Sequence, residues 1–307
     1  MVALDSQVCE RFSFMAFICA CLVVAIHVQF IPAEHFSSIG IYKGMLGAGI
    51  CRAAVPFFFF ASGFFLAKHI HEVSWWSDAL RKRVKSLLIP FFIWNWVAYI
   101  VSAALIVMKN VHSGLSLLSG VPINPLKVLG LHLVTPLGPL WYVRCLFVFV
   151  LLSFAVAWLV RRWPRTLLAL TFLFWVSFGG GDWTFAGSGF LRGIFSLEGL
   201  FFFSLGMVLM VNENLFCRLT RFSVRNAFGL GIAALFLFGL RYVLLGYFES
   251  VVGIRPLAII LMLMSLWGLL QRFERFPKLG SYSFPIYILH GIFLFFLKPA
   301  KTLGGGG

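Results

Sequence analysis

The chain has 307 residues, 61% of them hydrophobic, 18% aromatic and only 11% charged, with a mean hydropathy of +0.97. So little polar surface cannot cover a soluble globule of this length, and the class that remains is an integral membrane protein. The net charge of +15 falls mainly in short connections between apolar runs, where Lys and Arg orient helices and meet anionic lipid; a nucleic-acid partner is not expected.

Measured against the ~20 apolar residues that a ~30 Å hydrocarbon layer requires, the sequence predicts an all-α polytopic transmembrane helix bundle of about nine to ten spans. In chain order, nine runs are expected near 12–31, 44–67, 87–108, 137–160, 166–178, 190–211, 227–248, 256–270 and 281–297. The first is too long for a signal-peptide core and carries no cleavage site, so it is kept in the mature chain. The connection 109–136 holds Pro122, Pro125 and Pro136 and reads as a loop or a partly re-entrant segment. Residues 1–303 are read as a single membrane domain, and the tail Gly304–Gly307 as disordered. The six cysteines form no C-x-x-C pair and read as apolar fillers, and His112 and His132 lack metal-ligand spacing, so no metal is expected. Trp75, Trp76, Trp141 and Tyr142 read as interfacial anchors, and Ser62-Gly63 as a point of close helix packing.

Basic residues mark alternate connections: Arg81, Lys82, Arg83 and Lys85, then Arg161, Arg162 and Arg165, then Arg218, Arg221 and Arg225, then Arg272, Arg275 and Lys278. The positive-inside rule places these four in the cytoplasm together with the N-terminus, and the C-terminus outside.

A few ionisable residues break the apolar runs: His27, Arg52, Arg144, Arg192, Glu198, Arg241 and His290. A charge at the centre of a span costs roughly +2.5–3.5 kcal/mol on insertion scales, so such groups face a cavity or a partner. At 1.5 Å per helical residue, His27 lies roughly 6 Å and Arg52, Arg144, Glu198 and Arg241 about 10–12 Å below the outer ends of their spans, with Arg192 near its edge and His290 near the midplane. A shared depth on several helices points to one polar cavity open to the outside.

Five segments then resemble, in order, the acyltransferase-3 family of bacterial integral-membrane O-acyltransferases. They are the opening span Phe12 to His27, the run Arg52-Ala-Ala-Val-Pro-Phe-Phe-Phe-Phe-Ala-Ser-Gly-Phe-Phe-Leu66, Arg81-Lys-Arg-Val-Lys-Ser-Leu-Leu-Ile-Pro90, Leu140-Trp-Tyr-Val-Arg144 and Leu279-Gly-Ser-Tyr-Ser-Phe-Pro-Ile-Tyr-Ile-Leu-His290. The resemblance implies an enzyme of the bacterial cytoplasmic (inner) membrane that moves an acetyl or other short acyl group from acetyl-CoA, a co-substrate held on the cytoplasmic side, to a hydroxyl of an extracytoplasmic or lipid-linked saccharide. Two positions depart from the pattern. The family usually carries an arginine eleven residues before the histidine of the first helix, where this chain has Ala16, and a further helix after the Tyr-Ile-Leu-His segment, where this chain ends.

The residue types suit that chemistry. An alcohol is a poor nucleophile, and a neutral imidazole, His27, can take its proton. An arginine in a low-dielectric cavity, Arg52 before Arg144, can stabilise the oxygen on which charge develops. Glu198 can orient the histidine or neutralise an arginine. Arg144, Arg192, Arg241 and His290 are expected to bind the acceptor, and Arg81, Arg83 and Lys85 the CoA phosphates. Buried arginines along a polar path also suit a carrier or exporter of an anionic solute, and Ala16 and the short C-terminus suit a catalytically inert module of the same family.

Overall fold

The computed structural model describes residues 6–27, 49–114, 116–117, 120–121, 124, 140–178, 195–221, 223–244, 253–272, 277–287 and 289–290. Among these there are ten α-helices and no strand. They are α1 (Ser6–His27), α2 (Ala54–Leu66), α3 (Trp75–Arg83), α4 (Ile89–His112), α5 (Trp141–Arg162), α6 (Pro164–Phe178), α7 (Leu197–Val211), α8 (Glu213–Thr220), α9 (Val224–Leu244) and α10 (Ile254–Leu269). Short 3-10 turns precede and follow α2 (Ile50–Ala53 and Ala67–His69), and two more lie at Leu270–Arg272 and Pro277–Tyr282. In lipid, backbone polar groups must be satisfied within the segment, which is why helices alone suit such apolar runs.

Among the described residues, five stretches are long and apolar enough to cross a bilayer: Ser6–Ile26, Ile50–His69, Trp75–His112, Trp141–Arg162 and Val224–Leu244. The α7–α8 pair passes the same test as one unit bent by 112°, and α6 and α10 are shorter apolar helices. These account for eight of the nine expected runs. The ninth, near 281–297, extends beyond the described residues, as do Arg192, the connection after 124 and the Gly tail.

Two local features differ from the sequence expectation. The segment 75–88 is not a connection. It is helical throughout, with α3 joined to α4 by a π-turn at Val84–Leu88, so the basic run 81–85 rides on a helix. Trp75 and Tyr142 are not interfacial anchors but core residues, 5% and 7% exposed.

The centre is the pair α2 and α7. Both are apolar around their whole circumference, the pattern of a helix with neighbours on every side. Since lipid tails are as apolar as Leu, helices in a membrane associate by close packing, for which small residues open the way. Gly63 faces the backbone carbonyl of Phe203, and Gly206 faces that of Phe60, so the two helices touch backbone to backbone. Phenylalanine rings fill the space around this crossing. Phe59 meets Phe149 of α5 at 5.3 Å between ring centroids, and Phe149 meets Phe203 at 5.6 Å. On the far side Phe12 of α1 packs on Phe64 and on Trp267 of α10, each at 4.8 Å. By contrast α4 and α9 leave Ile93, Ile100, Phe228 and Phe236 exposed, as lipid-facing helices do.

A side chain at the crossing must push two backbones apart. Gly206→Ala is expected to destabilise the protein by about 1–3 kcal/mol, the scale of overpacking in a filled core. Gly229→Ala, where an added methyl meets nothing within 4 Å, is expected to be neutral or mildly stabilising. Thermal midpoints of the detergent-solubilised variants check both.

Candidate active site at one end of the bundle

Phe12, Phe64 and Trp267 mark one end of the bundle. From Phe12, α1 rises about 22 Å to His27, and from Phe64 the chain runs back about 18 Å along α2 to Arg52, so the two residues come to a common level at the opposite end. The 3-10 turn that carries Arg52 packs against both α1 and α10. For His27 the backbone alone is described.

Four other helices reach the same end. Ser196 caps α7, its Oγ accepting the Gly199 amide at 3.0 Å, and this capped turn holds Glu198. The position is favourable for a carboxylate, since the N-terminus of a helix carries a partial positive charge. Gly199 is wedged between Phe149 and Phe59, which fixes the turn against α5 and α2. On α5, Arg144 is buried, and its neighbour Cys145 hydrogen-bonds the backbone of Ser196. Arg144 thereby stands beside the cap of α7.

A further participant was not legible as a site residue. Arg255 Nη2 donates to Glu198 Oε2 at 3.3 Å, and the two side chains are 14% and 17% exposed. Arg255 lies in the first turn of α10, the helix end where a cation is disfavoured. Its placement is explained by the carboxylate across the interface, because a buried charge without a counter-charge is costly. The antiparallel packing of α9 on α10 sets Gly231 against Ser265. That register carries Arg241 to the level of Arg255. Arg52, Arg144, Glu198, Arg241 and Arg255 are therefore gathered at one end, while Arg192 lies outside the described residues.

His290 is placed differently. It is buried, with Nδ1 3.3 Å from the Ile286 carbonyl oxygen, and its ring stands 5.7 Å from that of Tyr287. Tyr287 in turn packs on Tyr142 at 5.6 Å and on Phe58 at 6.3 Å. This aromatic group packs on α2 at Phe58, beside the Phe59 that flanks Gly199. The Tyr142 hydroxyl hydrogen-bonds Ser62, and Arg83 stands close enough to act on it electrostatically. Trp76 meets Phe154 at 6.2 Å, so α3 runs antiparallel to α5 and carries Arg83 up the bundle toward Tyr142. Arg83 is half-buried, whereas Arg81 and Lys85 are exposed. Among the described residues no three His, Cys, Asp or Glu side chains converge as a metal site.

The ion pair yields a direct test. Glu198→Gln and Arg255→Gln are each expected to cost about 1.5–3 kcal/mol of stability, because each removes one member of a part-buried, charge-assisted contact. The double variant is expected to cost at least about 1 kcal/mol less than the sum of the two. A denaturant series on the four proteins reads both values.

The comparisons with known proteins agree with this architecture. The profile of the acyltransferase domain matches residues 13–305, nearly the whole chain. The succinoglycan biosynthesis protein ExoH of Rhizobium meliloti (strain 1021) is 28% identical over 177 residues, 54% of this chain and 47% of that protein, so the match spans about half the length of the curated relative. No solved structure matches. A bundle of apolar helices with ionised groups gathered at one end, matched along nearly its whole length by that domain, belongs to the acyltransferase-3 family of membrane proteins.

Proposed function

We propose that the protein is a membrane O-acyltransferase. It moves an acetyl or other short acyl group from acyl-CoA on the cytoplasmic side to a hydroxyl of an extracytoplasmic or lipid-linked saccharide, with residues 1–303 acting as one unit of the bacterial inner membrane and the N-terminus in the cytoplasm. The observation that carries the reading is the part-buried Glu198–Arg255 pair, at the end of the bundle that also holds Arg52, Arg144 and Arg241 and where α1 ends at His27. Charges assembled at this cost in an apolar bundle are explained by a reaction that develops charge there. Membership of an acyltransferase family supports acyl transfer, and a relative whose name places it in succinoglycan biosynthesis supports a saccharide acceptor.

In this reading the acceptor hydroxyl attacks the thioester carbonyl. Its oxygen forms the new C–O bond while His27 takes its proton, the C–S bond breaks, and the proton passes to the departing thiolate to give CoA. Arg52 stabilises the carbonyl oxygen as it gains negative charge. Glu198, fixed by Arg255, orients the imidazole. Arg144, Arg192, Arg241 and His290 bind the acceptor, and Arg81, Arg83 and Lys85 attract the phosphates of the donor.

Purified protein in liposomes, given radiolabelled acetyl-CoA and an acidic exopolysaccharide precursor, is expected to release CoA and label the saccharide. His27→Ala is expected to lower kcat by about 10²–10⁴, the usual contribution of a general base, and Arg52→Gln by about 10²–10³, with unchanged melting behaviour. Thioester turnover that survives His27→Ala, or solute movement into the liposomes without thioester consumption, overturns the reading.

A further inference from the structure

A cleft inside the bundle runs down from the charged end, and the chemistry above leaves it unused. It measures about 260 Å³. Its sides are α7, with Leu205 and Leu209, and α10, with Ile260, Leu263 and Trp267. These two helices begin together at the charged end, where Glu198 and Arg255 bridge them at 3.3 Å. Below the bridge they part, for α7 packs on α2 and α10 on α9. At the far end α8, bent by 112° from α7, crosses under the gap. There Phe216 meets Trp267 at 6.1 Å, and Gln271 Nε2 donates to the Thr220 carbonyl oxygen at 3.4 Å. At 1.5 Å per helical residue the lining positions lie about 5–18 Å beneath the ion pair, so the cleft is about 13 Å deep.

No charged side chain lines the cleft, and the Thr220 hydroxyl on its wall donates to the Phe216 carbonyl oxygen at 2.7 Å. Water does not fill such a space, since apolar cavities of about 150 Å³ stay dry and take up benzene instead. Left empty, its walls forfeit the dispersion contacts that close packing supplies elsewhere in the bundle. Hydrocarbon is the filling it suits. The walls also give the cleft a direction. Met15 of α1 and Phe57 of α2 form a buried back, whereas Leu205 and Leu263 are partly exposed and Leu219 of α8 is exposed. Among the described residues the open side is therefore the one between α7 and α10.

An apolar slot that runs along the helices and ends at ionised groups matches an amphiphile standing upright in the membrane. Its polar head is level with Glu198 and Arg255, and its hydrocarbon chain lies below. The transferred acyl group is too short to use a space about 13 Å deep. A lipid-linked saccharide fits throughout, with its sugar among the arginines and its tail in the slot. We propose that the cleft between α7 and α10 seats the aliphatic tail of a lipid-linked acceptor and so holds the saccharide hydroxyl at the charged end. The assignment rests on the acyl transfer proposed above and narrows its acceptor to the lipid-linked form. Leu205 and Leu263, one on each side of the opening, determine that specificity.

The full chain in nanodiscs is given radiolabelled acetyl-CoA and an acidic exopolysaccharide precursor in two forms, still joined to its lipid carrier or released from it by mild acid. Residence in the membrane by itself raises the local concentration of the joined form, so side chains that fill the cleft decide the matter. Leu205→Phe and Leu263→Phe are expected to raise KM for the lipid-linked form several-fold. They are expected to leave kcat, KM for acetyl-CoA and KM for the released form unchanged. Phe236→Leu, on the exposed face of α9, serves as the control and is expected to change none of these values. If the wild type acetylates the lipid-linked form and neither cleft variant alters its KM, the tail lies elsewhere and the assignment falls. It falls equally if the variants raise KM for both forms alike, or if the wild type accepts the released form alone. Absence of transfer to either form removes the acyl-transfer reading, and this assignment with it.

Discussion

A charge inside an apolar helix bundle must be paired or solvated, and that constraint organises this molecule. Glu198 and Arg255 come from helix ends far apart in sequence and meet at 3.3 Å with little exposure. Glu198 gains from the start of α7, while Arg255 sits against the dipole of α10 and is held by its partner. An ion pair of this kind adds little to stability compared with apolar replacements, but removing one member is costly. Its presence therefore reads as a functional investment, and it ties together the two helices that frame the charged end.

That end is positioned by what lies beneath it. The backbone contact of α2 and α7 at Gly63 and Gly206 sets the distance between the helices, and the wedge of Gly199 between Phe149 and Phe59 sets the height of the Glu198 turn. The phenylalanine-rich filling is rigid and dry, so the polar groups at both ends of the bundle occupy separate niches. Tyr142 links α5 to Ser62 of α2 and to Arg83. The arrangement suits a reaction whose two substrates arrive from opposite faces of a membrane and differ in chemistry, a soluble phosphorylated thioester and a bulky hydroxyl-bearing saccharide.

Much of the fold was legible because long apolar runs have one solution in lipid. The runs containing α1, α2, α5 and α9 were readable from length and hydropathy alone. Arg52, Arg144, Glu198 and Arg241 were visible as exceptions within those runs, and they come to one end. Arg255 escaped because it precedes the apolar stretch 256–270 by a single residue and so falls outside the run. The helix α3 escaped because Trp-Trp-Ser-Asp-Ala-Leu-Arg-Lys-Arg is too polar for a span, and its helicity depends on continuity with α4 and packing against α5. Tyr142 was misread because an aromatic at the start of an apolar run ordinarily marks an interface, whereas here tertiary packing against Phe59 and Tyr287 buries it. Pairings between distant helices carry no local signal, which is why the ion pair emerges only in three dimensions.

The central claim is that the end of α1 and the turn carrying Arg52 meet at the same charged end of the bundle as α7 and α10. Cross-linking in native membranes tests it most directly, using an otherwise cysteine-free chain with cysteines at positions 27 and 52, a second pair at 198 and 255, and a short bifunctional maleimide. The account predicts efficient intramolecular links for both pairs and none between 27 and the lipid-facing position 228. A link at 198–255 without one at 27–52, or efficient linkage of 27 to 228, would contradict it.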